Sequence, residues 1–559
     1  MLPIESMFNI GTRNLLLIAL FGTAGGSFAQ TLGLITHDPA HAEGYVLFDP
    51  IASPKTYLID RCGREVRSWT SPYQAGLTAA LQPDGTLLRA ANAQNPGYNA
   101  GGRGGRIERF DWEGNLVWSY DLSNDTACQH HDFTVLPNGN ILLFAWARMD
   151  SATAVAHGKD PAETNAWLWS EQVIELQPAG ESGGEVVWRW RAWDHLVQDF
   201  DAGLPNHGVV DEHPELLDLN FFQGPPNSAD WIHLNGVTYS PELDQILLSA
   251  HSFDEIWIID HSTTTAQAAT HTGGDSGRGG DLLYRWGNPR AYDRGGIADQ
   301  RLFGQHNATW LPEGHPQAGS ILVFNNGNGR PGGNYSSVDL IDPPVQPDGS
   351  YTLLPGEAYG PTQADELYTA TPASDFYSMA IGGVAPLEQG YLVSDGMGGR
   401  FFEVDPDGDI VWQYINPVNQ TGPLPQGSAP DNNQVFRCAY YPPDFAGFTG
   451  RVLVPGDEIE IDPLEPALCS TTDVPMSDAL PSMHIHPNPV TAHMVLENLP
   501  AGTTTVRVVD GLGRTCSTIV VERTNVAGVD ITRVPSGVLM LLPVDRYGHV
   551  LGRVRAVKP

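Results

Sequence analysis

RIERFDWEGNLVWSY (106–120) and HDFTVLPNGNILLFA (131–145) are two halves of one unit that the chain repeats. The first half reads as a strand, a polar turn and a second strand ending on tryptophan and an aromatic residue. The second reads as a strand, a Leu-Pro turn and an apolar strand. Both alternate apolar and polar residues with the period of two that a half-buried strand requires. Other first halves are TYLIDRCGREVRSW (56–69), QVIELQPAGESGGEVVWRW (172–190), EIWIID to LLYRW (255–286), a degenerate SSVDLIDPPVQPDGSYTLL (336–354) and RFFEVDPDGDIVWQY (400–414). The matching second halves are LTAALQPDGTLLRA (77–90), LNGVTYSPELDQILLSA (234–250), NATWLPEGHPQAGSILVF (307–324), MAIGGVAPLEQGYLVSD (379–395) and AYYPPDFAGFTGRVLVP (439–455). Six units of four short strands predict an all-β fold, a six-bladed β-propeller. A β-helix has much shorter repeats and lacks this hairpin layout. Trp69, Trp118, Trp188, Trp286 and Trp412 recur within the unit and are expected to pack between blades.

Composition agrees with many short strands and punctuated turns, since Gly 61 and Pro 44 are high and helical periodicity is nearly absent. A formal net charge of −35 repels nucleic acid and anionic membranes. At the start, Arg13 precedes the apolar run LLLIALFG (15–22), and SFA (27–29) supplies small residues for cleavage. Residues 1–29 therefore read as a signal peptide, too short in its apolar run to remain as a membrane span. No later run is long enough to span, so no transmembrane helix is expected in the mature chain. The propeller is expected over 30–455, followed by an acidic, Pro-rich linker over 456–480 and a small β-sandwich over 481–559. Five cysteines without a CxxC spacing do not suggest a metal site, and Cys438–Cys469 is the expected disulfide. The turn DPDGD (405–409) reads as solvated rather than as a calcium loop, because a full ligand set is not visible.

Aligning the second halves on their turn prolines (Pro83, Pro137, Pro241, Pro312, Pro386, Pro443) places Leu77, His131, Asn235, His306, Ala380 and Arg437 at one equivalent position. His233 lies two residues before Asn235, on the same face of an extended strand. The first strand of each second half is innermost in a propeller, so these residues should gather at one mouth of the central channel. Zinc is the first reading of several histidines, but no local ligand motif accompanies them, and no metal is expected. Histidine beside asparagine and arginine suits holding and attacking a singly charged oxyanion. GGRGG (101–105) and GGDSGRGG (273–280) read as flexible loops, not as nucleotide cradles, because no strand-to-helix turn contains them.

The markers HHDFTVLPNGNIL (130–142), DWIHLNGV (230–237) and FGQHNATWLP (303–312) followed by FNNGNGR (324–330) resemble those of bacterial aryl-sulfate sulfotransferases. The resemblance covers about 31 to 455. It implies a six-bladed propeller that moves a sulfuryl group from a phenolic sulfate to a phenol without a nucleotide donor or other cofactor. It also implies transient sulfation of His306, with His131 and His233 holding oxygen or protonating the leaving phenoxide, and Asn235 donating to a sulfate oxygen. Where the family carries an arginine, this chain has His251. Either His251 takes over as an oxyanion ligand, or the substrate differs, or Arg437 supplies the cation. A hydrolase on the same scaffold and a non-catalytic binding propeller remain open on the residues alone. The tail resembles the sorting domain of the type IX secretion system in Pro487-Asn488-Pro489, the turn at 510–514, Pro535-Ser536-Gly537-Val538 and a basic last strand with Lys558. That resemblance implies the secretion machinery as a partner and a secreted or cell-surface location.

Overall fold

The computed structural model describes residues 30–38, 43–221, 228–464, 469, 483–500, 502–510, 515–521, 526–534, 536–544, 546 and 554–559. The expected signal peptide lies outside them. The chain divides into two compact units, 1–468 and 469–559.

The first unit is built from antiparallel sheets of four or five strands, six of them among the described residues. In the order of their innermost strands they start at Ala75–Leu81, Ala127–Val135, Leu234–Ser240, His306–Trp310, Gly383–Pro386 and Val435–Tyr441. Each of these strands lies against the next, and Val435–Tyr441 lies against Ala75–Leu81, so the order closes on itself. Closure uses both ends of the unit. Val435–Tyr441 pairs with Tyr45–Pro50, the start of the chain's own first hairpins. The sheet beginning at Gly383–Pro386 gains a fifth, outermost strand, Gly33–His37, against Ile410–Ile415.

The recurring tryptophans do more than fill space. The indole N–H of Trp69 donates to the Asp111 carbonyl at 2.9 Å, Trp118 to Gly183 at 2.9 Å, Trp286 to Pro361 at 2.7 Å and Trp412 to Arg61 at 2.8 Å. Trp188 donates to the Thr263 hydroxyl at 3.0 Å. In each case the acceptor belongs to the following sheet, so a buried aromatic body and its one polar atom are both satisfied at the junction.

Three sequence expectations are corrected. The degenerate copy does not form its outer strand at 350–354. The prolines at 343 and 344 remove two ladder donors, and the outer strand forms later, at Asp365–Tyr368. The apolar stretch RVLVP (451–455) is not the second strand of the last unit, because Tyr45–Pro50 takes that edge, and Val452 and Val454 are left 81% and 68% exposed. Cys438 is a free thiol, buried and 3.0 Å from the Ser394 hydroxyl, so the Cys438–Cys469 bridge is not made. The first residues of the expected linker are held to the first unit, with Gly456 donating to the Glu65 carbonyl at 2.8 Å and Ile461 to Leu424 at 2.9 Å.

The second unit has a sheet of His484–His486, His493–Glu497 and Val526–Asp530, and another of Thr515–Val520, Thr505–Asp510, Gly537–Val544 and Val554–Lys558. Met494, Leu496, Val506, Val508, Leu539 and Ala556 from both share one buried apolar cluster. Asn488 accepts the Val557 N–H at 2.9 Å and Lys558 donates to the Ile531 carbonyl at 2.8 Å, so two of the tail's marker residues tie its own strands together. Residues 511–514 and Pro535 lie outside the described residues. Among the described residues no helix is long and apolar enough to cross a membrane.

One carboxylate ties the innermost strands. Asp132, fully buried, accepts the Thr78 hydroxyl at 2.9 Å, the Phe133 N–H at 2.8 Å and the Val237 N–H at 3.0 Å, and pairs with the Arg437 guanidinium. Replacing Asp132 by alanine leaves these donors without their acceptor and is expected to destabilise the first unit by about 3 kcal/mol. The urea midpoint of that unit's unfolding transition measures it, and a loss below about 1 kcal/mol would contradict the role given to Asp132.

Candidate active site

The innermost strands begin irregularly. Leu77, His131, His233, Asn307 and Ile381 all have positive φ, between 48° and 95°. Leu77, His131 and Asn307 lie at breaks in their strands' pairing, and His233 and Ile381 lie just before their strands. Left-handed backbone at a non-glycine residue is costly and marks a bulge that re-aims a side chain. The turn prolines are therefore imperfect rulers. His131 lies within its strand's irregularity, His233 lies just before its strand, whose register shift falls at Asn235, and His306 precedes the bulged Asn307.

The bulges bring four imidazoles into a row. Ring centroids are 4.6 Å apart for His131 and His233, 5.1 Å for His233 and His251, and 5.4 Å for His251 and His306. Phe436 packs beneath both ends of the row, 5.8 Å from His131 and 6.1 Å from His306. His251 is placed by its own N–H, which donates to the His233 carbonyl at 3.2 Å. Arg437 points at the row's floor. Its Nη2 is committed to Asp132, and its buried Nη1 has no hydrogen-bond partner among the described residues.

Asn235 is not in the row. It is fully buried, and its amide donates to the Gln305 carbonyl at 2.8 Å, so it fixes the strand that delivers His306.

His306 has a defined tautomer. Its Nδ1 lies 2.8 Å from Asn326 Oδ1 and 3.1 Å from the Gly304 carbonyl. The Asn326 amide nitrogen donates to the Ser378 and Ile381 carbonyls, which turns its oxygen toward the ring. Two oxygen acceptors require the hydrogen on Nδ1, leaving a lone pair on Nε2. Burial lowers the His306 pKa to about 4, and nearby His233 and Arg437 add to the effect against the Asn326 and Gly304 hydrogen bonds. His306 is thus unprotonated at neutral pH, with the Nε2 lone pair free. Burial and neighbouring imidazoles also push His131 and His251 well down.

His233 differs. Burial disfavours its charge, yet the Asp230 carboxylate at its Nδ1 outweighs burial and raises its pKa above the ordinary value. Asp230 is held from the other side by the Trp146 indole N–H at 3.0 Å. Within the row the protonated form is thus favoured at His233, and the neutral form at the other three rings.

Sequence reasoning missed four contributors. Asp230 and Asn326 lie inside quoted motifs, as the first residue of DWIHLNGV and the third of FNNGNGR, and that was their only signal. Gly102 sits in a loop read as flexible. Its carbonyl accepts the His131 N–H at 2.7 Å, and a Cβ there would lie 1.8 Å from the His131 ring, so only glycine lets the loop cover this imidazole. His130, the neighbour of His131, is fully buried and stacks on Trp146 at 4.0 Å.

A family model described as arylsulfotransferase (ASST) matches residues 24–340, more than half of the chain. The chain belongs to the arylsulfotransferase family. Membership supports aryl sulfotransferase activity generally, and the matched span contains His131, His233, His251, His306 and Asn326. No curated protein matches it. Among solved structures, it is similar to a protein of unknown function from Bacteroides caccae (11% identity over 71% of this chain and 99% of that one, TM-score 0.37). It is also similar to a streptogramin B lyase (11%, 69% and 83%, TM-score 0.33) and to a periplasmic gluconolactonase from Pseudomonas aeruginosa (14%, 67% and 97%, TM-score 0.31). Scores this low leave the reading to the chain's own geometry.

Histidine NMR titration tests the electrostatics of the row. His306 is expected to protonate only as pH falls through about 4, whereas His233 keeps its proton past 6.5. Asp230→Asn removes the carboxylate but not the burial, so His233 should then titrate below 6.5. A His306 that titrates at 6.5 or above would contradict this picture.

Proposed function

We propose that this chain is an exported aryl-sulfate sulfotransferase that moves a sulfuryl group from a phenolic sulfate ester to a phenol by ping-pong chemistry through a sulfohistidine. The observation that carries it is the free Nε2 of His306, whose hydrogen is held on Nδ1 by Asn326 and Gly304 beside a row of further imidazoles.

The ester carries one negative charge, and His233 is the ring of the row whose protonated form the Asp230 carboxylate favours. His233 and His251 hold the non-bridging oxygens, while Arg437 adds a positive field from the floor. His306 Nε2 attacks sulfur, the ester S–O bond breaks, and the electron pair leaves on the phenol oxygen. His131 protonates that oxygen and later takes a proton from the incoming phenol. Because donor and acceptor are chemically alike, the exchange needs no nucleotide to drive it. His251 in place of the family's arginine shifts the charge onto His233, consistent with its strong pairing to Asp230. Asn235 serves the site by fixing the Gln305 carbonyl rather than by touching sulfate.

The six sheets form a six-bladed propeller over 30–455 in this reading, and 481–559 form a β-sandwich that acts as a type IX sorting domain after a linker at 456–480. Residues 1–29 direct export, the secretion machinery is the partner of the tail, and the mature protein is secreted or held at the cell surface.

Incubation with an aryl sulfate, with and without a second phenol, tests the reading. Turnover should depend on the phenol and vanish in His306→Asn, with equal retention of fold. Turnover that proceeds at the same rate without the phenol would instead identify a hydrolase, with water as acceptor. A folded protein inert toward every aryl pair would overturn the assignment.

A further inference from the structure

Behind His131 lies a chain of buried groups that the reaction as described does not use. His131 Nδ1 is 2.8 Å from His130 Nδ1, and His130 Nε2 is 2.9 Å from Glu171 Oε2. Glu171 Oε1 accepts the Leu234 N–H at 3.1 Å, and all three residues are at most 2% exposed. His130 cannot turn away, because its ring is stacked on Trp146.

Two nitrogens 2.8 Å apart need one hydrogen between them, which couples the three groups. If Glu171 is protonated, it donates to His130 Nε2, His130 donates from Nδ1 to His131, and His131 presents N–H at Nε2. If Glu171 is ionised, His130 donates from Nε2, His131 donates from Nδ1, and His131 presents a lone pair at Nε2. A third arrangement, a doubly protonated His130 against a charged Glu171, is the one that burial disfavours, since burial pushes Glu171 well up and His130 well down. The charged or titratable groups facing the chain are Asp230 and His233, with His251 and His306 beyond His131.

We propose that Glu171 and His130 are positioning residues that form a proton relay with His131, switching its Nε2 between acid and base in the two half-reactions. The inference rests on the sulfotransferase reading and deepens it. As the S–O bond breaks and the N–S bond to His306 forms, His131 Nε2–H passes its proton to the leaving oxygen. His130 Nδ1 passes a proton to His131 Nδ1, and the Glu171 carboxyl passes one to His130 Nε2. The balance closes, because the proton gained by the phenol is the one lost by Glu171. Sulfation leaves His306 with a positive ring, so the new carboxylate charge appears when a positive charge has formed across the site. The acceptor phenol returns the proton by the reverse route.

Glu171→Gln tests it on the intact chain. The glutamine amide still donates to His130, which holds His131 in its N–H form, but it has no proton to release. With phenyl sulfate, whose leaving group needs the proton, kcat/KM should fall by about 10²-fold or more. With 4-nitrophenyl sulfate, whose leaving group does not, it should change little. In histidine NMR, His130 and His131 of the wild type should exchange tautomers together as pH rises, and in Glu171→Gln they should keep one form. Equal losses with both donors, or a single tautomer at every pH in the wild type, would overturn the relay. If the wild type turns over no aryl sulfate, the sulfotransferase reading fails while the tautomer measurement still decides the relay. If Glu171→Gln does not fold, the wild-type tautomers alone decide it.

Discussion

The floor of the site is a single buried carboxylate, Asp132, and the ring of sheets converges on it. It accepts from Thr78 on one innermost strand and Val237 on another, from the next residue on its own, and from Arg437 on the strand that closes the ring. Isolated, a buried charge would be strongly unfavourable; with four partners it fixes four strands in register and also orients them. His131 is the residue before Asp132, so the contact that fixes the floor also fixes the place where the imidazole row begins. The strained bulge at His131 is tolerated because its two neighbours in sequence, His130 and Asp132, are both fully hydrogen-bonded and buried.

From that floor the chemistry follows by electrostatics. Removing histidines from water makes them neutral, which is what a nucleophile and a neutral acid require but leaves nothing to hold an anion. The structure answers with one local exception. Asp230 faces His233, so the protonated form of that ring is favoured while burial favours the neutral form of its neighbours.

Much of this was legible in the residues, and the reasons for the rest are specific. Repetition of the strand, turn, strand unit exposed the sheets, because alternation and turn prolines are local properties of the chain. The mouth residues His131, His233 and His306 were legible for the same reason. The bulges were not, since a left-handed His131 or Asn307 leaves no trace in residue type, and so Asn235 was aligned with His306 although it lies behind it. Ring closure by Tyr45–Pro50, which leaves RVLVP without a partner, depends on residues nearly four hundred positions apart in the chain. Asn326 and Glu171 act on histidines of other strands, twenty and forty-one positions away, and a sequence alone has no means to pair them. Asp230 lies only three residues from His233, but nothing in the residue types shows that its carboxylate faces that ring. Gly102 looked like a flexible loop residue and is instead held against an imidazole.

The central claim is that His306 itself carries the sulfuryl group between two phenols. Rapid mixing of the protein with an aryl sulfate in the absence of acceptor measures this directly. The account predicts a burst of phenol equal to the number of protein molecules, followed by near silence, with the mass of one SO₃ on the peptide that contains His306. Release with no burst, or a burst that leaves His306 unmodified, would contradict it.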